Sequence, residues 1–198
     1  MFSVQAAINF HFGEKDIMRI SENIRTLTEN RTAWRLYRNR CYSVLLQRAD
    51  PERVYNVQGR PGIVYNYLED AFEPVGEGQY IATGLLGEMW TLPAAALGKY
   101  RIDPMLLTDT PQKTETVETD TVYTGLRIPA QIPFTLVVHY GAEALLHGNR
   151  SGVPHGDGDM ILLPAVRDAE GEWIPDPADS GRIVNGSIFD RLYRPYAE

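Results

Sequence analysis

Residues 2 to 12 alternate in polarity. Phe2, Val4, Ala6, Ile8, Phe10 and Phe12 share one parity and Ser3, Gln5, Ala7, Asn9 and His11 the other, the period of a strand with one buried face. The spacing then becomes helical, because Ile17, Ile20, Ile24 and Leu27 recur on one stripe with charged residues between them. A second helical piece is expected over 32–38, carrying Trp34 and Tyr37. Beyond residue 40 the pattern changes to short apolar runs broken by Gly, Pro, Asn and Asp. It predicts strands at 41–47, 53–57, 62–67, 79–83, 89–92, 134–140, 143–146 and 160–163, with short helices at 93–100 and 188–193. The threonine-rich, acid-rich stretch 108–121 has little to bury and reads as a linker in preference to an exposed strand.

Comparing the two halves suggests an internal repeat. Gly76-Glu77-Gly78-Gln79-Tyr80-Ile81, Gly87-Glu88-Met89-Trp90, Leu97 and Tyr100 are echoed by Gly156-Asp157-Gly158-Asp159-Met160-Ile161, Gly171-Glu172-Trp173, Phe189 and Tyr193. Apolar strands around Val44 and Val137 precede the two sets. The second set is one residue short between Glu172 and Trp173, which with a side-chain period of two would turn the Trp to the other face unless a bulge absorbs it.

The expected fold is therefore α+β and predominantly antiparallel β. Its segments are an N-terminal strand and amphipathic helix at 1–39, a first β module at 40–105, a linker or exposed connection at 106–132 and a second module at 133–198.

The repeated elements resemble the small uncharacterised bacterial and phage-associated domains named for a Pro-Gly-Asp-Tyr-Gly-type motif. The resemblance rests on Gly158-Asp159 and on Phe189-Asp190-Arg191-Leu192-Tyr193 in the second half. In the first half it rests on Tyr80 and Gly87-Glu88-Met89-Trp90. It implies a fold and no established activity. Gly78, Glu88, Trp90, Gly158, Asp159, Glu172, Trp173 and Tyr193 are accordingly expected to serve the structure, as turn glycines, turn-bonding carboxylates and small-core aromatics.

The net charge of −7 disfavours a protein that coats nucleic acid. Between Glu14 and Arg53, however, nine basic residues stand against six acidic ones, and Arg31, Arg35 and Arg38 would share a helix face able to contact phosphate. Cys41 is the single cysteine, so no intrachain disulfide and no multi-cysteine zinc site can form. Nothing resembles a leader peptide or a membrane span, and the expected location is cytoplasmic.

Candidate chemistry collects in the loop 147–159. His147, His155, Asp157 and Asp159 could ligate a divalent metal and support a metal-dependent hydrolase, while Arg150 and Ser151 could contact a ligand. The spacing matches no established metal, phosphate-loop or nucleophile-elbow motif. The expectation is a non-catalytic binding or interaction protein, with a protein or small molecule as partner and homo-oligomerisation open. A hydrolase at 147–159 and nucleic-acid contact through the arginine face are the alternatives.

Overall fold

A computed structural model describes residues 18–19, 34–139, 143–179 and 181–197. The expected strand at 2–12 lies outside them. In chain order the strands are β1 (Met18–Arg19), β2 (Arg35–Asn39), β3 (Ser43–Arg48), β4 (Ile63–Asn66), β5 (Ala71–Pro74), β6 (Tyr80–Thr83), β7 (Met89–Leu92), β8 (Gln112–Glu115), β9 (Val122–Arg127), β10 (Phe134–His139), β11 (Glu143–Gly148), β12 (Met160–Arg167), β13 (Trp173–Pro175), β14 (Arg182–Val184) and β15 (Tyr193–Pro195). Among the described residues helix is confined to two 3-10 turns, Ala94–Lys99 and Pro104–Leu106, and α1 (Gly186–Leu192). The protein is β-rich and mostly antiparallel. Among the described residues no helix is long and apolar enough to cross a membrane.

The chain divides into two compact units, residues 40–119 and residues 1–39 with 120–198. In the 40–119 unit the sheet order is β7-β6-β3-β8, with β4-β5 as a separate hairpin. Val44 and Leu46 of β3 pack with Ala82, Leu92, Leu97, Tyr100 and Leu107. Ile81 of β6 packs with Val64 and Val75 on the hairpin side. A strand whose successive residues enter two different cores is buried on both faces, which is why its sequence is an apolar run rather than an alternation.

The other unit repeats this physics. Its main sheet runs β13-β12-β9-β2-β15, with β14 also on β12, beside a three-stranded sheet β1-β10-β11. Ile161 and Leu163 of β12 join Trp34, Leu126, Ile128, Phe134 and Leu136. Met160 and Leu162 join Phe189, with Tyr37, Tyr123, Val184 and Tyr193 against them.

Four expectations are corrected. The helical piece at 32–38 is β2 from Arg35 onward, where backbone pairing with β9 and β15 replaces the local helical bonds. Met18–Arg19, inside the expected amphipathic helix, pair in parallel with Phe134–Thr135; the rest of that helix lies outside the described residues. The expected strand at 53–57 keeps only an isolated bridge, Val54 to Pro61. The connection at 106–132 is divided between the units and carries β8 and β9. Thr114, Thr116, Val122, Thr124, Leu126 and Ile128 are all buried there. Threonine is a strand-compatible residue whose methyl packs while its hydroxyl bonds backbone, so polarity alone misled. Thr116 illustrates this: its Oγ1 accepts from the Tyr42 backbone N–H at 3.1 Å.

Hydrogen–deuterium exchange should therefore show protected amides within 112–116 and 122–128, with rapid exchange confined to the exposed stretch 118–121. Complete exchange of all these segments within seconds, as a linker would give, would refute the pairing.

Candidate functional site

The loop 147–159 joins β11 to β12 and is closed by side chains bonding to backbone. Asn149, 6% exposed and in the left-handed region at φ 52°, is its pivot. Its Nδ2 points at three carbonyls, those of Ile128 (3.1 Å), Pro129 (2.8 Å) and Ile132 (2.8 Å). Its Oδ1 accepts from the Asp159 backbone N–H at 2.8 Å, and its own N–H donates to Asp159 Oδ2 at 2.7 Å. Asp159 Oδ1 accepts from the Gly186 N–H at 2.9 Å and lies 2.9 Å from His155 Nδ1. The other ring nitrogen of His155 is 2.5 Å from the Arg150 carbonyl. Asn185 caps α1 by accepting from the Ser187 N–H at 3.0 Å, and its Nδ2 reaches back to the Pro154 carbonyl at 2.8 Å.

Two glycines allow this closure. A Cβ on Gly158, where φ is +123°, would lie 1.9 Å from the Ile128 carbonyl oxygen, and one on Gly186 would lie 2.1 Å from that of His155. Both are backbone overlaps that no rotamer relieves. Arg127, at the end of β9, donates to the Gly158 carbonyl at 3.1 Å and pairs with Asp190 of α1 at 2.5 Å.

The predicted metal quartet is not assembled. His155 and Asp159 meet, but His147 is exposed and bonds Thr135 Oγ1 through Nδ1 at 3.0 Å, and Asp157 is exposed. Among the described residues no group of three or more His, Cys, Asp or Glu is placed to hold a metal ion. The reason is geometric. The Asp159 carboxylate is turned inward to satisfy buried N–H groups, so it is not presented alongside the exposed side chains. Ser151 is exposed and Arg150 is half-buried, its carbonyl engaged by His155. The arginine face is also corrected. Arg35 and Arg38 lie on a strand at odd and even positions and so project from opposite faces, while Arg31 lies outside the described residues. Arg38 sits over the Tyr196 ring at 4.7 Å.

The motif residues have varied surroundings. Glu88 is 7% exposed, and its Oε2 accepts from the Leu86 N–H at 2.8 Å. Burial pushes its carboxyl up, against backbone hydrogen bonds that pull it down. Glu172 is exposed instead, and its N–H donates to Asp168 Oδ1 at 2.8 Å. Trp90 packs against the Val44–Leu46 core, whereas Trp173 lies under Arg167 at 4.1 Å. Tyr193 stacks on Phe189 at 4.8 Å and accepts from Arg182 at 3.2 Å; burial raises its phenol despite the nearby guanidinium. Gly78 occupies an exposed turn at φ +72°.

Sequence reasoning missed Asn149, Asn185 and Arg127. Asn185 carried a readable signal, an Asn just before the helical residues 186–192. Asn149 and Arg127 had none, since their partners lie 10 to 63 residues away.

No family model, curated protein or solved structure matches the chain.

Asp159→Ala leaves two buried N–H groups without an acceptor and should cost about 3–5 kcal/mol in urea unfolding, while Asp157→Ala should stay within about 0.5 kcal/mol. Equal effects would contradict the latch. For Glu88, a carboxyl raised in the folded state favours folding in its protonated form, a contribution lost as pH rises through the raised value. Glu88→Gln should therefore gain stability relative to wild type between pH 4 and pH 7, and a flat difference in midpoint would count against that burial cost.

Proposed function

We propose that the chain is a non-catalytic binding protein built from two copies of one β module, engaging a protein or small molecule through its surface. The observation that carries the non-catalytic half is how the richest polar loop uses its side chains. Asp159, Asn149 and His155 are occupied in holding the loop to α1 and to the end of β9. Groups committed to buried backbone donors are poor bases or ligands, because using them would reopen the loop.

Backbone pairing supports the duplication. Arg48 lies opposite Tyr80, and Arg127 opposite Met160. The following residues donate alike, Ala49 to the Gln79 carbonyl at 3.0 Å and Ile128 to that of Asp159 at 2.9 Å. Tyr80 then lies opposite Leu92, and Met160 opposite Val184. Pro93 and Asn185 follow as helix N-caps, with buried Leu97 and Phe189 inside the helices. Each unit has a hairpin between its first and second paired strands, β4-β5 in one and β10-β11 in the other.

This alignment differs from the one read in sequence. The strand of Val44 matches β9 rather than the strand of Val137. Trp90 matches Arg182, and Trp173 takes the place of Met89 beside an equivalent turn, at the end of a β12 eight residues long where β6 has four. The extension lengthens the hairpin, so no bulge is required. The units also differ in that β2 sits beside β9 where β8 sits beside β3. The resemblance to the uncharacterised bacterial and phage-associated domains fits this reading, since it too assigns the Gly-Asp turn and the Phe-x-x-x-Tyr segment to the scaffold.

The test is hydrolysis of model phosphodiester and carboxylic esters with divalent metals present. Wild type, His155→Ala and Asp157→Ala should be equally inactive above background. Metal-dependent turnover by wild type that either substitution abolishes, with the fold retained by circular dichroism, would overturn the proposal.

A further inference from the structure

A second polar cluster lies in the 40–119 unit, on the β4-β5 hairpin, and is not used by the loop described above. Asn66 is 4% exposed, and its Oδ1 is buried with no hydrogen-bond partner. An unsatisfied buried acceptor costs free energy and calls for a missing partner. Two carboxylates accompany it. In the hairpin register Val64 is opposite Glu73 and Asn66 opposite Ala71. Cross-strand partners share a face, and residues two apart on a strand share it as well, so Asn66 and Glu73 project from the same side of the hairpin.

On that side Glu73 Oε2 is oriented by Thr91 of β7, through its N–H at 2.7 Å and its hydroxyl at 2.8 Å. Its Oε1 has no hydrogen bond among the described residues. Glu69 is on the hairpin turn, its N–H donating to the Asn66 carbonyl at 3.2 Å. Surrounding protein pushes its carboxyl up, and the charge of Glu73 pushes it further. Neither carboxylate has a cationic partner among the described residues.

We propose that the Asn66 Oδ1 and the carboxylates of Glu69 and Glu73 form a calcium site at the mouth of this hairpin. The donor set is all oxygen, one neutral amide and two anions, which suits a hard cation and offers no soft ligand to a transition metal. Calcium is preferred over magnesium because it accepts irregular geometry and completes its shell with water, whereas magnesium demands a near-octahedral cage. Thr91 supplies the outer bonds that fix a ligating carboxylate. A bound dication would give Asn66 Oδ1 its partner and relieve the repulsion between the two glutamates. The site is independent of the binding role proposed above.

The test is calorimetric titration of chelator-treated full-length protein with calcium alone, to about 10 mM, above the ~0.1–1 mM range of weak protein sites. Terbium luminescence excited through the adjacent Tyr65 and Tyr67 serves as a second readout. Wild type should bind one saturating equivalent, with magnesium binding at least about tenfold weaker. Glu69→Gln, on the hairpin turn, should weaken calcium at least about tenfold with an unchanged circular dichroism spectrum, and Glu73→Gln should do the same. If Glu73→Gln does not fold, Glu69→Gln decides alone. Absence of saturable calcium binding by wild type, or affinity unchanged in Glu69→Gln, would overturn the proposal.

Discussion

The carboxylate of Asp159 is the fixed point of the unit that ends the chain. It stands at the entry to β12, 3% exposed, and takes backbone N–H groups from Asn149 and Gly186 while meeting the imidazole of His155. A buried carboxylate is tolerated only when such donors surround it. Satisfying it therefore determines where the loop from β11 lies, where α1 begins and which residues must lack a Cβ. Gly158 and Gly186 follow from that requirement rather than from any need for flexibility.

The turn that leads into β6 in the 40–119 unit is held by a different side chain. Gln79 stands just before β6, and among the described residues its Oε1 accepts only from the Gly76 N–H at 2.7 Å. A neutral amide needs fewer donors than a carboxylate, so the turn before β6 is short and no long loop is tied to it. The two units share a strand buried on both faces, a helix on one side and a hairpin on the other. They differ where polar side chains set the loops. Polar content in this protein therefore measures how much loop must be held, and does not by itself mark reactivity. The Asn66–Glu69–Glu73 cluster stands apart because the buried Asn66 Oδ1 has no internal donor, whereas Asp159 has gathered two backbone N–H groups.

Aromatic and cationic side chains add a second layer of order to the C-terminal unit. Arg182 lies over Tyr123 at 4.8 Å and donates to the Tyr193 hydroxyl, and Arg127 sits 5.5 Å from the centre of the Phe189 ring. Guanidinium stacking lets these arginines cover apolar rings while keeping N–H groups for carbonyls and carboxylates. Arg38, Arg127 and Arg182 are in this way part of the scaffold.

The sequence by itself determined the β-rich class, the positions of β3, β4, β6, β7 and β10 to β12 to within a few residues, and the two short helices. Those features depend on runs of apolar residues and on turn residues, which are local. It also suggested a duplication, the reading proposed above, but short Gly-Glu-Trp strings record a turn and not a register. Tertiary structure decided what pairing over distance controls. Residues 35–39 became a strand because β9 and β15 were available to bond them. The threonine-rich stretch 108–121 gave β8, paired with β3, because burial of a threonine depends on its neighbours. The ligands expected at 147–159 became a latch because Asp159 met N–H groups from residues 149 and 186, which no local pattern connects.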